Sequence, residues 1–307
     1  MQIYLPVADL PVNIFLVLAM GLAVGFISGM FGIGGGFLMT PLLIFIGISP
    51  AVAVASVASH IAASSCSGAI SYWRRNALDL SLALMLLAGG ILGMAVGVWL
   101  FTLLRSLDQL DLAIGLSYVL LLTIVGALMI AESVRAILRQ RLGKPVVLRR
   151  GGSHTWLHRL PLKMRFKRSK IYVSAIPVWL IGYVIGFLGA IMGIGGGFLL
   201  VPMLIYFLRV PSATVIGTSQ VLTLVTMAAA TVLHAVTNHL VDVVLAFILM
   251  VGGVIGAQFG ARAGQSMPGE RLRLLLGGLV LMVGLRFAYE LMVRPDDLYS
   301  IRVMAGG

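Results

Sequence analysis

Glycines are the residues of this chain whose types and spacing point most directly to chemistry. The sequence Gly-Ile-Gly-Gly-Gly occurs twice, in segments 25–43 and 186–204, which are identical at 11 of 19 positions with a constant offset of 161 residues. Because glycine lacks a Cβ atom, backbone N–H groups can approach a ligand closely there, and a helix that begins after the turn adds the positive end of its dipole. The pattern therefore predicts an anion site built from backbone in both copies. The predicted members of this site are Gly34, Gly35, Gly36, Gly195, Gly196 and Gly197.

Two other interpretations of the glycine segments are weaker. A dinucleotide-binding turn needs a preceding strand, a following helix and an acidic residue about 20 positions on, whereas the first acidic residue after Gly36 is Asp79. The glycines could also serve only to let two helical hairpins pack closely. Broken apolar segments at matching places in two halves of a hydrophobic chain usually line the substrate site of a secondary transporter, and this favours a binding role.

A histidine and two serines lie in the apolar run that follows the first glycine segment. The run 51–73 has its midpoint near His60, with Ser56 and Ser59 within about one helical turn. An ionisable residue in mid-membrane is by default a functional hypothesis. The alternative, rated equally, is a neutral imidazole that bonds a neighbouring serine or a backbone carbonyl. All three residues are candidate ligands.

The second copy carries polar groups at the same depth, at Thr218, Ser219 and Gln220. Serine and threonine hydroxyls often bond their own helix backbone, so Gln220 is the strongest candidate ligand among them. No Asp or Glu falls in the middle of any predicted span. Sodium coordination by carboxylate and a carboxylate proton relay therefore lose support, and an anion held by neutral donors fits better.

The sequence predicts no catalytic residue, no metal site and no cofactor. No nucleophile, base and orienting carboxylate occur together at one depth, so the chain is not expected to be an enzyme. His234, Asn238, His239 and Asp242 cluster near the end of one span. Their spacing does not guarantee convergence on a metal, and they are interpreted as an interfacial loop.

Composition and charge place these segments in a membrane. Of 307 residues, 60% are hydrophobic and 10% are charged, with a mean hydropathy of +1.07; ordinary soluble domains are about 25% charged. The region 135–170 holds 12 of the 22 basic residues and no acidic one. Such concentrated charge is a topology signal that predicts a cytoplasmic loop and attachment to anionic lipid, with an amphipathic helix at 157–170 as the rarer form. It does not predict nucleic-acid binding.

The predicted fold class is an all-α polytopic membrane protein. A spanning helix needs about 20 apolar residues, whereas the runs after the glycines have 13 and 12, so each half is predicted to form a re-entrant or discontinuous helical hairpin plus three transmembrane helices. An odd number of crossings makes the halves inverted repeats with both termini outside. The predicted units are 1–134 (first repeat), 135–170 (linker) and 171–307 (second repeat). The predicted apolar runs are 10–31, 36–48, 51–73, 80–104, 110–130, 176–192, 197–208, 211–236, 243–261 and 272–291.

Several of these features occur together in one known family. They are the two Gly-Ile-Gly-Gly-Gly-Phe-Leu segments, the prolines Pro41 and Pro202, the helix starts Ser49-Pro50 and Val210-Pro211, Gly217-Thr218-Ser219, and the basic central loop. Over nearly its whole length the chain resembles the sulfite exporter TauE/SafE family of membrane transporters. The resemblance implies a bacterial inner-membrane carrier of small sulfur-containing anions or organic acids, such as sulfite and sulfonates. The first half departs from the pattern, with Ala55-Ser56-Val57-Ala58-Ser59 in place of Gly-Thr-Ser.

The expected function is secondary transport of a small anion, in which one repeat rocks against the other to give alternating access. An uncoupled anion channel with the same fold is the alternative, and dependence of flux on a counter-transported ion would separate the two. The expected partners are the anionic substrate and the bilayer, including anionic lipid at the central loop, without nucleic acid. A homo-oligomer is left open.

Overall fold

The computed structural model describes residues 2–31, 34–74, 78–141, 162–166, 169, 171–207, 212–264 and 269–292. Within these ranges the chain forms ten α-helices and two β-hairpins, and seven of the helices are long and apolar enough to cross a membrane. The predicted all-α polytopic membrane fold is therefore confirmed. The helices are α1 (Ile14–Phe31), α2 (Gly36–Phe45), α3 (Pro50–Arg74), α4 (Leu80–Ser106), α5 (Leu110–Arg141), α6 (Ala175–Met192), α7 (Gly197–Phe207), α8 (Ser212–Leu233), α9 (Val243–Gly264) and α10 (Gly269–Met292).

Each predicted apolar run overlaps one helix, and the largest differences lie at two ends. The first run was expected from residue 10, but α1 begins at Ile14 because residues 10–13 pair as a strand. The fifth was expected to end at residue 130, but α5 continues to Arg141. Its last turns carry alanine, leucine, arginine and glutamine, which are strong helix formers that need no membrane.

Two short β-hairpins precede the first helix of each half, and the sequence analysis did not predict them. Strand β1 (Gln2–Leu5) pairs with β2 (Leu10–Asn13), and β3 (Lys163–Phe166) pairs with β4 (Ile171–Ser174), both antiparallel. The two hairpins are related by the same offset of 161 residues as the glycine segments. Residues 163–166 are extended, so an amphipathic helix over the whole of 157–170 is wrong. The hairpin straddles the predicted linker boundary at 170, and residues 142–161 of the linker lie outside the described residues.

The first helix of each half packs along a helix of the other half. Helix α1 lies against α9, where Gly25 faces Gly253 so closely that a Cβ on either would overlap its neighbours. Helix α6 lies against α4, with Gly186 facing Gly90 in the same way. Contacts advance in the same direction along both pairs, so each pair is parallel. The glycine stripes thus bring the backbones together, which confirms the packing role predicted for them.

Two buried aspartates tie these helix pairs to the hairpins. Asp79 caps the N-terminus of α4, and its second carboxylate oxygen accepts from the N–H (2.9 Å) and the hydroxyl (2.8 Å) of Ser169 in the second hairpin. Asp242 caps α9, and its second oxygen accepts from the N–H of Val7 (2.9 Å) in the first hairpin. Helices α1 and α9 therefore begin beside one hairpin, and α4 and α6 begin beside the other.

Helices α3 and α8 pack against each other in the interior of the molecule. The apolar window of α3 is 72% buried, against 28% for α1 and for α5. Large apolar side chains on α1, α4 and α5 point outward instead, as expected of surfaces that face lipid. Helices α5 and α10 form an antiparallel pair beside this centre. The short helices α2 and α7 lie against α3 and α8, and this position brings their glycine turns to the middle of the fold.

Candidate functional site

The two glycine turns meet at the centre of the molecule. Gly34, Gly35, Gly195 and Gly196 all have positive φ angles, from 66° to 86°, a conformation that L side chains rarely adopt. A Cβ on Gly36 would overlap the carbonyl of Gly193 in the opposite turn. The predicted glycines are therefore brought together, except that Gly32 and Ile33 of the first motif lie outside the described residues.

Two phenylalanines hold the turns face to face. Phe37 and Phe198 follow the glycines at matching places in the two copies, and their buried rings stack with centroids 4.8 Å apart and an interplanar angle of 16°. Equivalent residues that touch each other lie where the two halves meet. The hydroxyl of Thr40, one turn further along α2, donates a 3.4 Å hydrogen bond to the Gly193 carbonyl.

This arrangement brings two helix N-termini to one place. Helix α2 begins at Gly36 and α7 begins at Gly197. The first N–H groups of a helix have no partner within it, and each N-terminus carries about half a positive charge from the helix dipole. Two such ends with bare glycine backbone favour an anion at the point where they converge.

Ile61 of α3 and Thr223 of α8 lie directly at the turns. A Cβ on Gly34 would stand 3.3 Å from Cγ2 of Ile61 and 3.5 Å from Cγ2 of Thr223. A Cβ on Gly195 would stand 2.6 Å from Cγ2 of Ile61. Both side chains are buried, so one aliphatic and one hydroxyl-bearing side chain line the place where the turns meet.

Two buried hydroxyls near this place have no hydrogen-bond partner among the described residues. They belong to Thr223 and to Ser65, which lies one turn beyond Ile61 on the same face of α3. An unpartnered buried hydroxyl costs about 1–3 kcal/mol. Such groups need an explanation, and a ligand that the protein binds is one.

The predicted ligand Gln220 lies between α8 and α3. Its side chain is buried, and a Cβ on Gly68 would stand 2.9 Å from its Cδ atom. Gln220 is one turn before Thr223, so both point from α8 toward α3. The position keeps Gln220 among the candidate ligands.

Four other predicted ligands have hydroxyls that already bond the protein. Ser56 accepts from the N–H of Asp242 (3.1 Å), and Thr218 accepts from the N–H of Asp79 (3.4 Å). The hydroxyls of Ser59 and Ser219 donate to carbonyls three residues earlier on their own helices, at 2.6 and 2.8 Å. These bonds hold the helix ends and the local backbone, away from the glycine turns.

His60 is fully buried, and its ring packs on α9. Its Nδ1 atom is 2.7 Å from the carbonyl oxygen of Leu249, and a Cβ on Gly253 would overlap the ring. Because a carbonyl only accepts, this contact requires the proton on Nδ1. The Nε2 atom has no partner in the described part of the chain. The contact with Leu249 matches the alternative of a neutral imidazole bonded to backbone.

The cluster interpreted as an interfacial loop is a hydrogen-bonded end of α8. His234–Asn238 form a π-helical turn, in which Nε2 of His234 lies 3.2 Å from the Ala190 carbonyl. The carbonyl of Asn238 accepts from Arg105 (2.7 Å). Among the residues that the structure describes, no group of three or more His, Cys, Asp or Glu could hold a metal.

Sequence reasoning missed Ile61 and Ser65 and left Thr223 out of the candidate ligands. Under the repeat offset, Ile61 and Thr223 are near-equivalent positions that differ in polarity, and this was the signal available. It also missed Tyr118, whose buried hydroxyl donates to the Met192 carbonyl (2.5 Å) just before the second glycine turn. A tyrosine within an apolar run gives no sequence signal for that contact.

Comparison with known proteins places the chain among membrane transporters. Residues 17–287 match the family described as "Sulfite exporter TauE/SafE". The chain is 28% identical over 273 residues to "Probable membrane transporter protein YjnA" of Bacillus subtilis (strain 168), covering 88% of this chain and 98% of the relative. It is 32% identical over 256 residues to a "Probable membrane transporter protein" of Xylella fastidiosa (strain 9a5c), covering 81% and 84%. No solved structure matches it.

Proposed function

Because the chain belongs to the sulfite exporter TauE/SafE family of membrane transporters, we propose that it is a secondary carrier of a small anion that binds between the two glycine turns. The observation that carries this proposal is the convergence of the N-termini of α2 and α7 at left-handed glycines. Sulfite, a sulfonate or a related organic acid is the proposed substrate class. Neutral donors would hold such an anion without altering its charge.

Alternating access of two inverted repeats is the proposed mechanism, and contacts at the ends of α3 support it. Ser56 near the start of α3 bonds Asp242, whereas this helix of 25 residues ends at Arg74, shortly before Asp79. A helix of that length spans about 38 Å. The two aspartates, and with them the starts of α1 and α6, therefore lie at opposite ends of a membrane-length helix. Equivalent helices that run in opposite directions are the basis of rocking around a central site.

The driving force we propose is the membrane potential, worth about 2.3 kcal/mol per elementary charge per 100 mV. Proton coupling through His60 is the less favoured route, because the ring is engaged with Leu249. An uncoupled channel with the same binding place is the second candidate. A carrier would show flux that depends on a counter-transported ion or saturates with substrate, and a channel would not.

The proposed location is the bacterial inner membrane, with the basic central loop in the cytoplasm on anionic lipid and both termini outside. Cysteine labelling in intact cells tests this orientation on a Cys66→Ala background. Gln2→Cys, on the exposed first strand, is expected to react with an impermeant reagent. Gly152→Cys, in the central loop outside the described residues, is expected to be protected. The opposite result would overturn the orientation.

Flux measurements in proteoliposomes test the function itself. The purified protein is expected to carry at least one of sulfite, an alkylsulfonate or a short carboxylate, and Gly34→Ala or Gly195→Ala is expected to abolish the flux. A Cβ at either position would enter the space between the turns. Gly35→Ala and Gly196→Ala would instead meet Ser28 and Ile185, so a loss there would report a distorted turn.

The matched control for the flux variants is Gly278→Ala, because a Cβ there meets no described atom within 4 Å. It is expected to transport as the wild type does. Absence of flux for every anion in the wild type would contradict the proposed function. Normal flux in both Gly34→Ala and Gly195→Ala would contradict the proposed binding place.

A further inference from the structure

We propose that Thr223 and Ile61 determine the substrate selectivity of the glycine-turn site. In this proposal the Thr223 hydroxyl donates a hydrogen bond to the anionic head of the substrate, and Ile61 contacts an apolar group carried by the same molecule. The inference rests on the proposed anion-carrier function and deepens it. It assigns a binding role to two side chains and favours an oxyanion joined to a short carbon chain over a bare inorganic oxyanion.

Matching contacts show that these two residues occupy equivalent places in the two halves. Ser56 and Thr218 each accept the N–H of the aspartate that caps a long helix, and they are 162 residues apart. Ile61 and Thr223 are also 162 residues apart, five positions further along α3 and α8. Both approach the turn at Gly34 to within ordinary side-chain contact. The duplicated scaffold therefore presents an aliphatic side chain from one half and a hydroxyl from the other.

The hydroxyl of Thr223 behaves unlike its neighbours on α8. Ser219 and Thr226 donate to carbonyls of their own helix at 2.8 Å, and so does Thr231, which is the usual outcome for such residues in a membrane helix. Thr223 is 2% exposed, and its Oγ1 has no partner among the described residues. A donor kept off its own backbone beside two helix N-termini is available to an anion.

Ile61 forms an apolar wall over the same place. It is fully buried, and a Cβ on Gly34, Gly36 or Gly195 would meet its side chain. An oxyanion stripped of water on that side would receive no hydrogen bond in return, which is unfavourable. A carbon group placed against Ile61 gains the free energy of apolar burial instead. The arrangement suits an anion that is polar at one end and apolar at the other.

Competition flux in proteoliposomes tests the assignment, with labelled sulfite and labelled ethanesulfonate as probes. We expect the full-length wild type to favour ethanesulfonate. Thr223→Val is expected to lower the affinity for both anions about tenfold, as for loss of a hydrogen bond to a charged group. Thr223→Ser should restore it. Thr226→Val is the matched control, since it removes a hydroxyl that bonds its own helix, and it should transport as the wild type does.

The Ile61 variants test the apolar wall separately. Ile61→Val is expected to keep the preference, whereas Ile61→Thr and Ile61→Ala are expected to reduce the ethanesulfonate-to-sulfite ratio about fourfold or more, the effect of one to two buried methylene groups. Competition by propionate against ethanesulfonate distinguishes a carboxylate head from a sulfonate head.

Two outcomes would overturn the proposal while leaving the carrier function intact. One is anion flux in which Thr223→Val equals Thr226→Val. The other is a selectivity ratio that stays constant in both Ile61→Thr and Ile61→Ala. Absence of any anion flux in the wild type would instead remove the proposed function on which the inference rests.

Discussion

Asp79 and Asp242 occupy matching places at the starts of α4 and α9, and each accepts three hydrogen bonds, at least one of them from the hairpin of the other half. The centre of the molecule differs. There Ile61 of one half stands opposite Thr223 of the other. Contacts that only hold helices together can be duplicated without change. A binding place for one unsymmetrical molecule gains from two halves that differ.

The largest expected effect is at the matched ends. Asp79→Asn and Asp242→Asn each replace an acceptor oxygen by an amide group that faces a donor, and we expect each to lower the free energy of unfolding by about 2 kcal/mol or more. Thermal unfolding in detergent measures the loss, and Asp108→Asn on the exposed surface is the control. If Asp242→Asn were as stable as that control, the two ends would not be equivalent.

A smaller effect is expected where helix glycines face the centre. Gly253→Ala would overlap the His60 ring, whereas a Cβ on Gly90 would stand 2.8 Å from the flexible Cδ1 of Leu222. We expect Gly253→Ala to cost about 1–3 kcal/mol by overpacking and Gly90→Ala to cost less. Thermal unfolding of both variants, with Gly278→Ala as reference, checks the order. A greater loss in Gly90→Ala would contradict the proposed difference between the two halves.

The smallest effect is expected from His60→Gln. Glutamine can still donate to the Leu249 carbonyl but does not titrate, so we expect a small loss of thermal stability and an unchanged pH profile of flux. His60→Leu, which copies Leu222 of the other half, should lose the hydrogen bond and about 1 kcal/mol. Flux against pH at fixed membrane potential decides the role of the ring. A pH dependence that is present in the wild type and absent from both variants would establish proton coupling.

Much of the fold could be predicted because its signals are local and strong. Ten apolar runs and two glycine breaks predicted ten helices, since a membrane-length apolar segment has few alternatives to a helix. The hairpins at 2–13 and 163–174 were missed. Each is only two strands of four residues, and they are stabilised by distant aspartates on α9 and α4 that no short-range pattern reveals.

The site was predicted less completely, because depth in a membrane does not tell which way a side chain points. Ser56 and Thr218 have the right residue types and lie near the right depth, yet they bond the backbone of aspartates at helix ends. Ile61 was missed because an isoleucine in an apolar helix is unremarkable. Only the contact with Gly34 and Gly195 distinguishes it from the other aliphatic residues of α3.

An experimental structure with a brominated alkylsulfonate tests the central claim most directly. Crystals of the full-length protein soaked in 2-bromoethanesulfonate would locate bromine by its anomalous scattering, and the sulfonate oxygens in the same map. We predict the sulfonate within hydrogen-bond distance of the first N–H groups of α2 or α7, with bromine on the side of Ile61. A bound sulfonate that occupies only another place, with the space between Gly34 and Gly195 filled by protein side chains, would contradict the account.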